Sequence, residues 1–324
     1  MISIIVPFNN GKKYLNNCLK NLSKNNYKDF EVILIDDFSE DNSEDIAKKY
    51  VGNLKINYYY TNERTIGVGN ARNLGITKAT GDYIMFLDVD DEIDYNLLNY
   101  AQQFIEKDIE MIKFKMKIIK NNKETNGSGP VFDLTNGQDG FNKLCFRDKF
   151  LDSPCLYLIK KELFKRTNLK FEKNVYHEDF GLIPSLIVNA KTIVSTNYYG
   201  YHYFQTDESI MRNGDYDKKI KKVNDKFYLY DKLLQNLKRY SLTKETKENM
   251  LEYYTNSMIL AIKDLKFQNR RRFGRIIKKR GLIENIKPRN VKQFVKKIIL
   301  NGSIELYFIV QKRKINCYQN VTKK

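Results

Sequence analysis

Asp88, Asp90 and Asp91 put three carboxylates into four positions, directly after the apolar run Ile84-Met85-Phe86-Leu87. Like charges packed this closely repel unless a cation sits among them. Hard oxygen ligands suit Mg2+ or Mn2+, so a divalent cation carrying a diphosphate would satisfy the group. A plainer reading is a solvated acidic loop opening a helix near Leu97, since acids favour helix N-termini. Asp36 and Asp37 close a second apolar run, Phe30 to Ile35. Asp37 suits a base imide or a ribose hydroxyl, while Asp36 and Ser39 also read as caps of the next helix. Arg72 suits phosphate or the face of a base, or else a surface acid. Glu178 and Asp179 open a helical pattern that runs to Val188, where plain N-terminal capping is the alternative.

These residues need a scaffold, and hydrophobic periodicity predicts one. Ser3–Val6, Phe30–Ile35 and Ile84–Leu87 read as strands buried on both faces, and Ile56–Tyr60 as a more exposed, Tyr-rich one. Helices are expected between them, from Tyr14 to Leu22, up to Tyr50, and from Asn70 towards Gly81. Strand and helix in alternation argue a right-handed parallel α/β sheet with its acids on the carboxyl edge, where ligands bind. Beyond Asp108 the pattern changes. Glu110–Ile119 alternates apolar residues with lysine, predicting a strand with one wet face. Asn136–Phe146 reads as helix, Cys155–Ile159 and Ile193–Ser195 as strands, and Tyr198–Tyr203 as an aromatic strand. From Asp215 onward everything reads as helix.

Composition narrows the classes. The net charge is +18, yet residues 263–324 hold nineteen Lys and Arg against three acids, so +16 of it lies in the tail. Cys18, Cys145, Cys155 and Cys317 are scattered without CxxC spacing, which argues against a disulfide frame. Two histidines, His177 and His202, exclude a His-rich metal site. Neither GxGxxG after the first strand nor GxxxxGK[ST] occurs, which excludes the usual dinucleotide fold and the P-loop. Met1-Ile2-Ser3-Ile4-Ile5-Val6-Pro7 reads as a strand rather than a signal peptide, and no apolar run approaches the ~18 residues of a membrane span. A cytoplasmic protein is expected.

Five segments in order carry a resemblance over Met1 to Met211. They are Ser-Ile-Ile-Val-Pro-Phe-Asn, Glu-Val-Ile-Leu-Ile-Asp-Asp-Phe-Ser, Gly-Asn-Ala-Arg-Asn-Leu-Gly-Ile, Gly-Asp-Tyr-Ile-Met-Phe-Leu-Asp-Val-Asp-Asp and the Glu178-Asp179 pair. Together they resemble an inverting family-2 glycosyltransferase of the GT-A fold, of the type that builds bacterial surface polysaccharides. The resemblance implies a catalytic domain over 1–214, with a donor-binding part to about 108 and an acceptor side beyond it, followed by a helical basic region over 215–324. Pro7 and Asn9 would line the nucleoside pocket, Asp37 would read the uracil edge, and Arg72 would lie near the nucleotide. Asp88 would sit near ribose or sugar, Asp90 would bind Mn2+ or Mg2+ with help from Asp91, and Asp179 would be the base. Glu178, His177 and His202 are candidates for acceptor or phosphate contacts; a histidine satisfied within an aromatic cluster is the other reading of His202.

The reaction implied moves a sugar, from UDP-hexose or UDP-N-acetylhexosamine, to a hydroxyl of a glycan, lipid-linked or polyol-phosphate acceptor. Two other classes compete. A sugar-nucleotide pyrophosphorylase would open on a Gly-rich loop with Arg and Lys, which Pro7-Phe8-Asn9-Asn10-Gly11-Lys12 does not supply. A sugar-nucleotide- or nucleic-acid-binding protein without transferase activity would use the basic tail, but the ordered acid motifs would then have no purpose, so nucleic acid is not expected. Within the tail, Phe273, Ile276 and Ile277, then Val291, Phe294, Val295, Ile298 and Ile299, form apolar stripes among basic residues. They predict attachment to the inner face of an anionic membrane; packing on the catalytic domain, a homo-oligomer interface and a polyanionic, teichoic-acid-like acceptor are the alternatives.

Overall fold

A computed structural model describes residues 1–205 and 215–311; the expected boundary at 214, Cys317 and the last residues of the basic tail lie outside them. The apolar runs become strands β1 (Ile2–Phe8), β2 (Phe30–Asp36), β3 (Ile56–Tyr60) and β4 (Tyr83–Phe86). They pair in parallel in the order β3-β2-β1-β4. Helices α1 (Lys12–Ser23), α2 (Ser43–Lys48) and α3 (Gly69–Lys78) make the crossovers. The chain winds outward from β1 to β3 and then returns to the other side of β1. That reversal opens a crevice at the carboxyl ends of β1 and β4.

Beyond β4 the sheet turns mixed. β9 (Tyr157–Lys160) is antiparallel to β4, β6 (Met111–Lys120) is antiparallel to β9, and β10 (Ile193–Phe204) is parallel to β6. The short β5 (Glu92–Ile93) closes the far edge against β10. Off this path, β7 (Lys123–Asn126) forms a hairpin with β6, and β8 (Phe132–Thr135) pairs with β10. The two strands expected over 193–203 are one twelve-residue strand, bent by register shifts between Ser195 and Tyr201. At Gly200 a Cβ would stand 2.3 Å from a terminal methyl of Leu97 on α4 (Leu97–Ile105), so a larger residue there would displace the Leu97 side chain.

The lysine side of β6 is not all wet, contrary to the alternation. Lys113 is buried, and its ammonium lies 2.7 Å from the buried Asp148, which follows α5 (Gly137–Leu144). After β9 comes α6 (Lys161–Thr167). The helix expected to open at Glu178 starts later, as α7 (Leu182–Asn189). Left-handed His177 (φ 62°) and Gly181 (φ 84°) tighten the turn before it.

Four longer helices follow, α8 (Tyr216–Leu237), α9 (Lys244–Ala261), α10 (Phe267–Lys279) and α11 (Val291–Gly302), and residues 304–311 are helical as well. The N-cap side chains of Asp215, Thr243 and Asn290 accept backbone N–H bonds at the starts of α8, α9 and α11. On the inward stripe of α10, Phe273 stacks on Phe227 of α8 with ring centroids 5.6 Å apart, and Ile277 is fully buried. That stripe is core, so α10 offers no apolar face to a membrane. On α11 Leu300 alone is buried, while Val291, Phe294, Val295 and Ile298 face outward.

Candidate active site

The loops after β1 and β2 are sewn together by side chains. Asn9 Nδ2 donates to the carbonyls of Asp37 (2.6 Å) and Phe38 (3.0 Å). Asn10 N–H donates to Ser39 Oγ, and Asn10 Oδ1 accepts from Glu40 N–H, both at 2.8 Å. Asp36 is spent on structure, accepting from Ser39 N–H (2.7 Å) and the Tyr58 hydroxyl (2.6 Å). Asp37 accepts from the Thr61 hydroxyl at 2.6 Å and keeps a half-exposed carboxylate over the crevice. Burial raises its pKa, the Thr61 bond opposes this, and Asp36 adds to it. Pro7 is buried within β1 beside Ile35, one step behind the edge that Asn9 occupies.

Arg72 on α3 joins the two acidic motifs. Its Nη2 lies 2.9 Å from Asp88 Oδ1, and its Nη1 donates to Glu178 Oε1. The guanidinium lies 5.9 and 5.4 Å from the ring centroids of Phe86 and Phe171, which pack edge to face against each other. Close approach of the loop bearing Glu178 requires small residues at the start of α3. A Cβ on Gly69 would stand 2.4 Å from the Glu172 carbonyl oxygen. Arg72 therefore turns to both acids rather than standing free in the crevice.

The three acids after β4 differ in role. Asp91 is almost fully buried and accepts from the Tyr201 hydroxyl (2.6 Å) and from Phe204 N–H (2.8 Å). Both its oxygens hold β10, and burial followed by repulsion from Asp88 pushes its pKa up to about 8. Asp90 is half-buried with its pKa raised, first by burial and then by Asp88. Asp88 carries the bond to Arg72 through one oxygen, which leaves the other.

Asp179 follows Glu178 in the turn before α7 and keeps a partly exposed edge while ringed by protein. Burial, then Glu178 and Asp152, push its carboxyl well above the usual range, and Arg72 and Lys226 oppose them. Asp152, ahead of β9, accepts from the hydroxyls of Tyr253 (2.7 Å) and Tyr254 (3.4 Å) on α9; burial moves it to about 6. Lys226 reaches in from α8, donating to Ser257 Oγ (3.2 Å) and lying 5.4 Å over the Phe180 ring. Neither Asp152 nor Lys226 belongs to any motif. One signal was present for Lys226, which interrupts the inward stripe Val223, Phe227, Tyr230 at helical spacing.

The two histidines differ. His177 is held neutral, its pKa pushed down to about 3 by burial and by the nearby Lys226 and Lys222. His202 pairs with Glu92 across the β10–β5 ladder, so pleating turns it away from the face on which Tyr201 meets Asp91. Its Nε2 is buried without a protein partner, so the aromatic strand does not satisfy it.

Residues 3–167 match the family model described as glycosyl transferase family 2. The chain belongs to this family. It is 31% identical over 227 residues to the glycosyltransferase GlyG of Streptococcus pneumoniae, covering 65% of this chain and 73% of GlyG. With the Campylobacter jejuni GalNAc(5)-diNAcBac-PP-undecaprenol beta-1,3-glucosyltransferase it shares 26% identity over 261 residues, 78% of this chain and 80% of that enzyme. The poly(ribitol-phosphate) beta-N-acetylglucosaminyltransferase TarS of Staphylococcus aureus is 29% identical over 215 residues, 62% of this chain but 35% of TarS. A crystal structure of TarS 1–349 with UDP-GlcNAc superimposes with a TM-score of 0.71 at 18% identity, covering 97% of this chain and 91% of that one. The fold is GT-A, and the likeness to TarS includes the helical C-terminal region.

Proposed function

We propose that this glycosyltransferase moves a hexosyl or N-acetylhexosaminyl group from a UDP-sugar to a hydroxyl of a glycan, lipid-linked or polyol-phosphate acceptor, with inversion. One observation carries the reading. Through a single guanidinium, Arg72 ties Asp88, past the end of β4, to Glu178 in the turn that holds Asp179. The leaving-group end and the base end of a displacement are thereby fixed relative to each other. The names of GlyG, TarS and the Campylobacter enzyme support a sugar transferase, and the UDP-GlcNAc complex of TarS supports this donor class.

In this reading residues 1–108 hold the donor and 109–214 face the acceptor. Asn9 and Asp37 shape the nucleoside end, with Pro7 as the rigid backing of that loop. The acids after β4 suit a divalent cation by charge: Asp90 and Asp91 are pushed towards their neutral forms and Arg72 reaches only Asp88. No cluster of three candidate ligands is preformed among the described residues. Asp90 and the second oxygen of Asp88 would therefore hold Mn2+ or Mg2+ together with the donor phosphates, a sharing common for such ions. Asp91, fully hydrogen-bonded, braces β10 behind them. A bound cation would stabilise the diphosphate as it leaves. Asp179 then takes the proton of the attacking hydroxyl, whose pKa lies far above neutrality. Glu178 orients that turn through Arg72, and neutral His177 borders it without a charge for phosphate.

Release of UDP from a panel of UDP-sugars, with and without Mn2+, tests the assignment. Donor- and acceptor-dependent release that disappears in Asp179→Asn is the expected result. Release of a different nucleotide, or full turnover in that variant, would refute it.

A further inference from the structure

α11 is built the reverse of an ordinary surface helix. Two of its three lysines turn inward, Lys296 Nζ donating to Asn256 Oδ1 (2.7 Å) on α9 and Lys297 Nζ standing 3.2 Å from Glu284, while Lys292 is exposed. Its large apolar residues turn out. Val291, Phe294, Val295 and Ile298 recur at i, i+3, i+4, i+7 and are 78, 56, 46 and 55% exposed. The C-terminal end of α10 meets that of α11, where Lys278 Nζ donates to the carbonyls of Asn301 (2.6 Å) and Gly302 (2.7 Å). α10 also exposes Arg271, Arg272, Arg275 and Lys279. Two of the three acids of this segment are consumed internally, Glu284 by Lys297 and Glu305 by Arg270. What faces outward is an apolar stripe among cations.

We propose that α11 lies in the surface of an anionic bilayer, its four apolar side chains at the headgroup–acyl boundary and the surrounding Lys and Arg at lipid phosphates. A helix of this make-up belongs in an interface, and no described helix is long and apolar enough to cross a membrane. Charge decides between occupants. A second copy would bring an equally basic face, and residues 312–324 add five more Lys and Arg and no acid. Both repel the patch, whereas anionic lipid attracts it, by about fivefold in partitioning for each engaged Lys or Arg.

The test is flotation of the full chain with phosphatidylglycerol/phosphatidylcholine vesicles and with phosphatidylcholine vesicles alone, at low and high salt. We expect binding to the anionic vesicles at low salt, weakened at least tenfold at high salt. The double variant F294E/I298E should lose at least tenfold in binding with an unchanged melting curve, since both side chains are exposed. Failure of the unaltered chain to float with anionic vesicles overturns the proposal, as does undiminished flotation of the variant. A chain that sediments as a dimer, and as a monomer once F294E/I298E is introduced, also overturns it and gives the face to a second copy. Because the readout is binding, the result is independent of whether sugar transfer is confirmed.

Discussion

To act as the proposed base, Asp179 must stay ionised where burial and two neighbouring acids favour its acid form, and Lys226 is one of the two cations that oppose them. Lys226→Met should therefore shift the acidic limb of the kcat/KM profile to higher pH, and Lys226→Arg should restore it. An unmoved limb would make Lys226 a packing residue. Asp90→Ala should remove Mn2+-dependent donor binding with the fold intact, whereas Asp179→Asn should bind donor normally and lose transfer; calorimetry beside turnover separates the two. Asp91 carries a pH signature of its own. Its pKa rises from the ordinary carboxylate value to about 8 on folding, so the native state binds the proton more tightly. Its contribution to stability is complete below about pH 4 and drains away as pH rises through 8. Urea midpoints of metal-free protein should fall over that window, and Asp91→Asn, which keeps the shape and an acceptor, should flatten the fall.

The elements of the first ninety residues could be read from the sequence because parallel strands buried on both faces are continuous apolar runs. Acids placed just after such runs could only fall on one edge. The second half hid its pairing. β10 looked like two strands because Asn197 and its polar neighbours interrupt the pattern, and only the partner strand shows that the chain runs on through register shifts. Lys113 looked solvated because a sequence does not reveal that Asp148 waits on the buried side. Likewise Asp152 and Lys226 are 74 residues apart, and nothing in either neighbourhood announces a shared site. The buried Lys113–Asp148 pair makes a direct prediction. Lys113→Met alone leaves a buried carboxylate uncompensated and should cost about 3–5 kcal/mol in urea unfolding. The double replacement Lys113→Met with Asp148→Leu should recover most of that loss.

Over the whole molecule, the C-terminal helices pack onto the elements that carry the candidate site. α8 supplies Lys226, α9 supplies Tyr253 and Tyr254, and α10 buries Phe273 and Ile277 against them. Leu282, Ile283 and Ile286 are buried as well. Each such side chain contributes about 1.5–3 kcal/mol on burial, and five together rival the net stability of a domain, about 5–15 kcal/mol. A chain ending at Ala261 should be largely insoluble, or melt far below the full chain in a thermal scan.

The guanidinium of Arg72 is shared between Asp88 and Glu178, so whatever loads one partner is felt by the other. If the donor and its cation draw on Asp88 as proposed, the grip on Glu178 would tighten and the turn carrying Asp179 would be pinned. An empty donor site would leave that turn less firmly held. Steady-state kinetics should accordingly be sequential with compulsory order, sugar nucleotide first and UDP last to leave. UDP should then inhibit competitively against the donor and non-competitively against the acceptor. Arg72→Lys, which cannot span both acids, should loosen that turn, lower kcat and blunt the compulsory order.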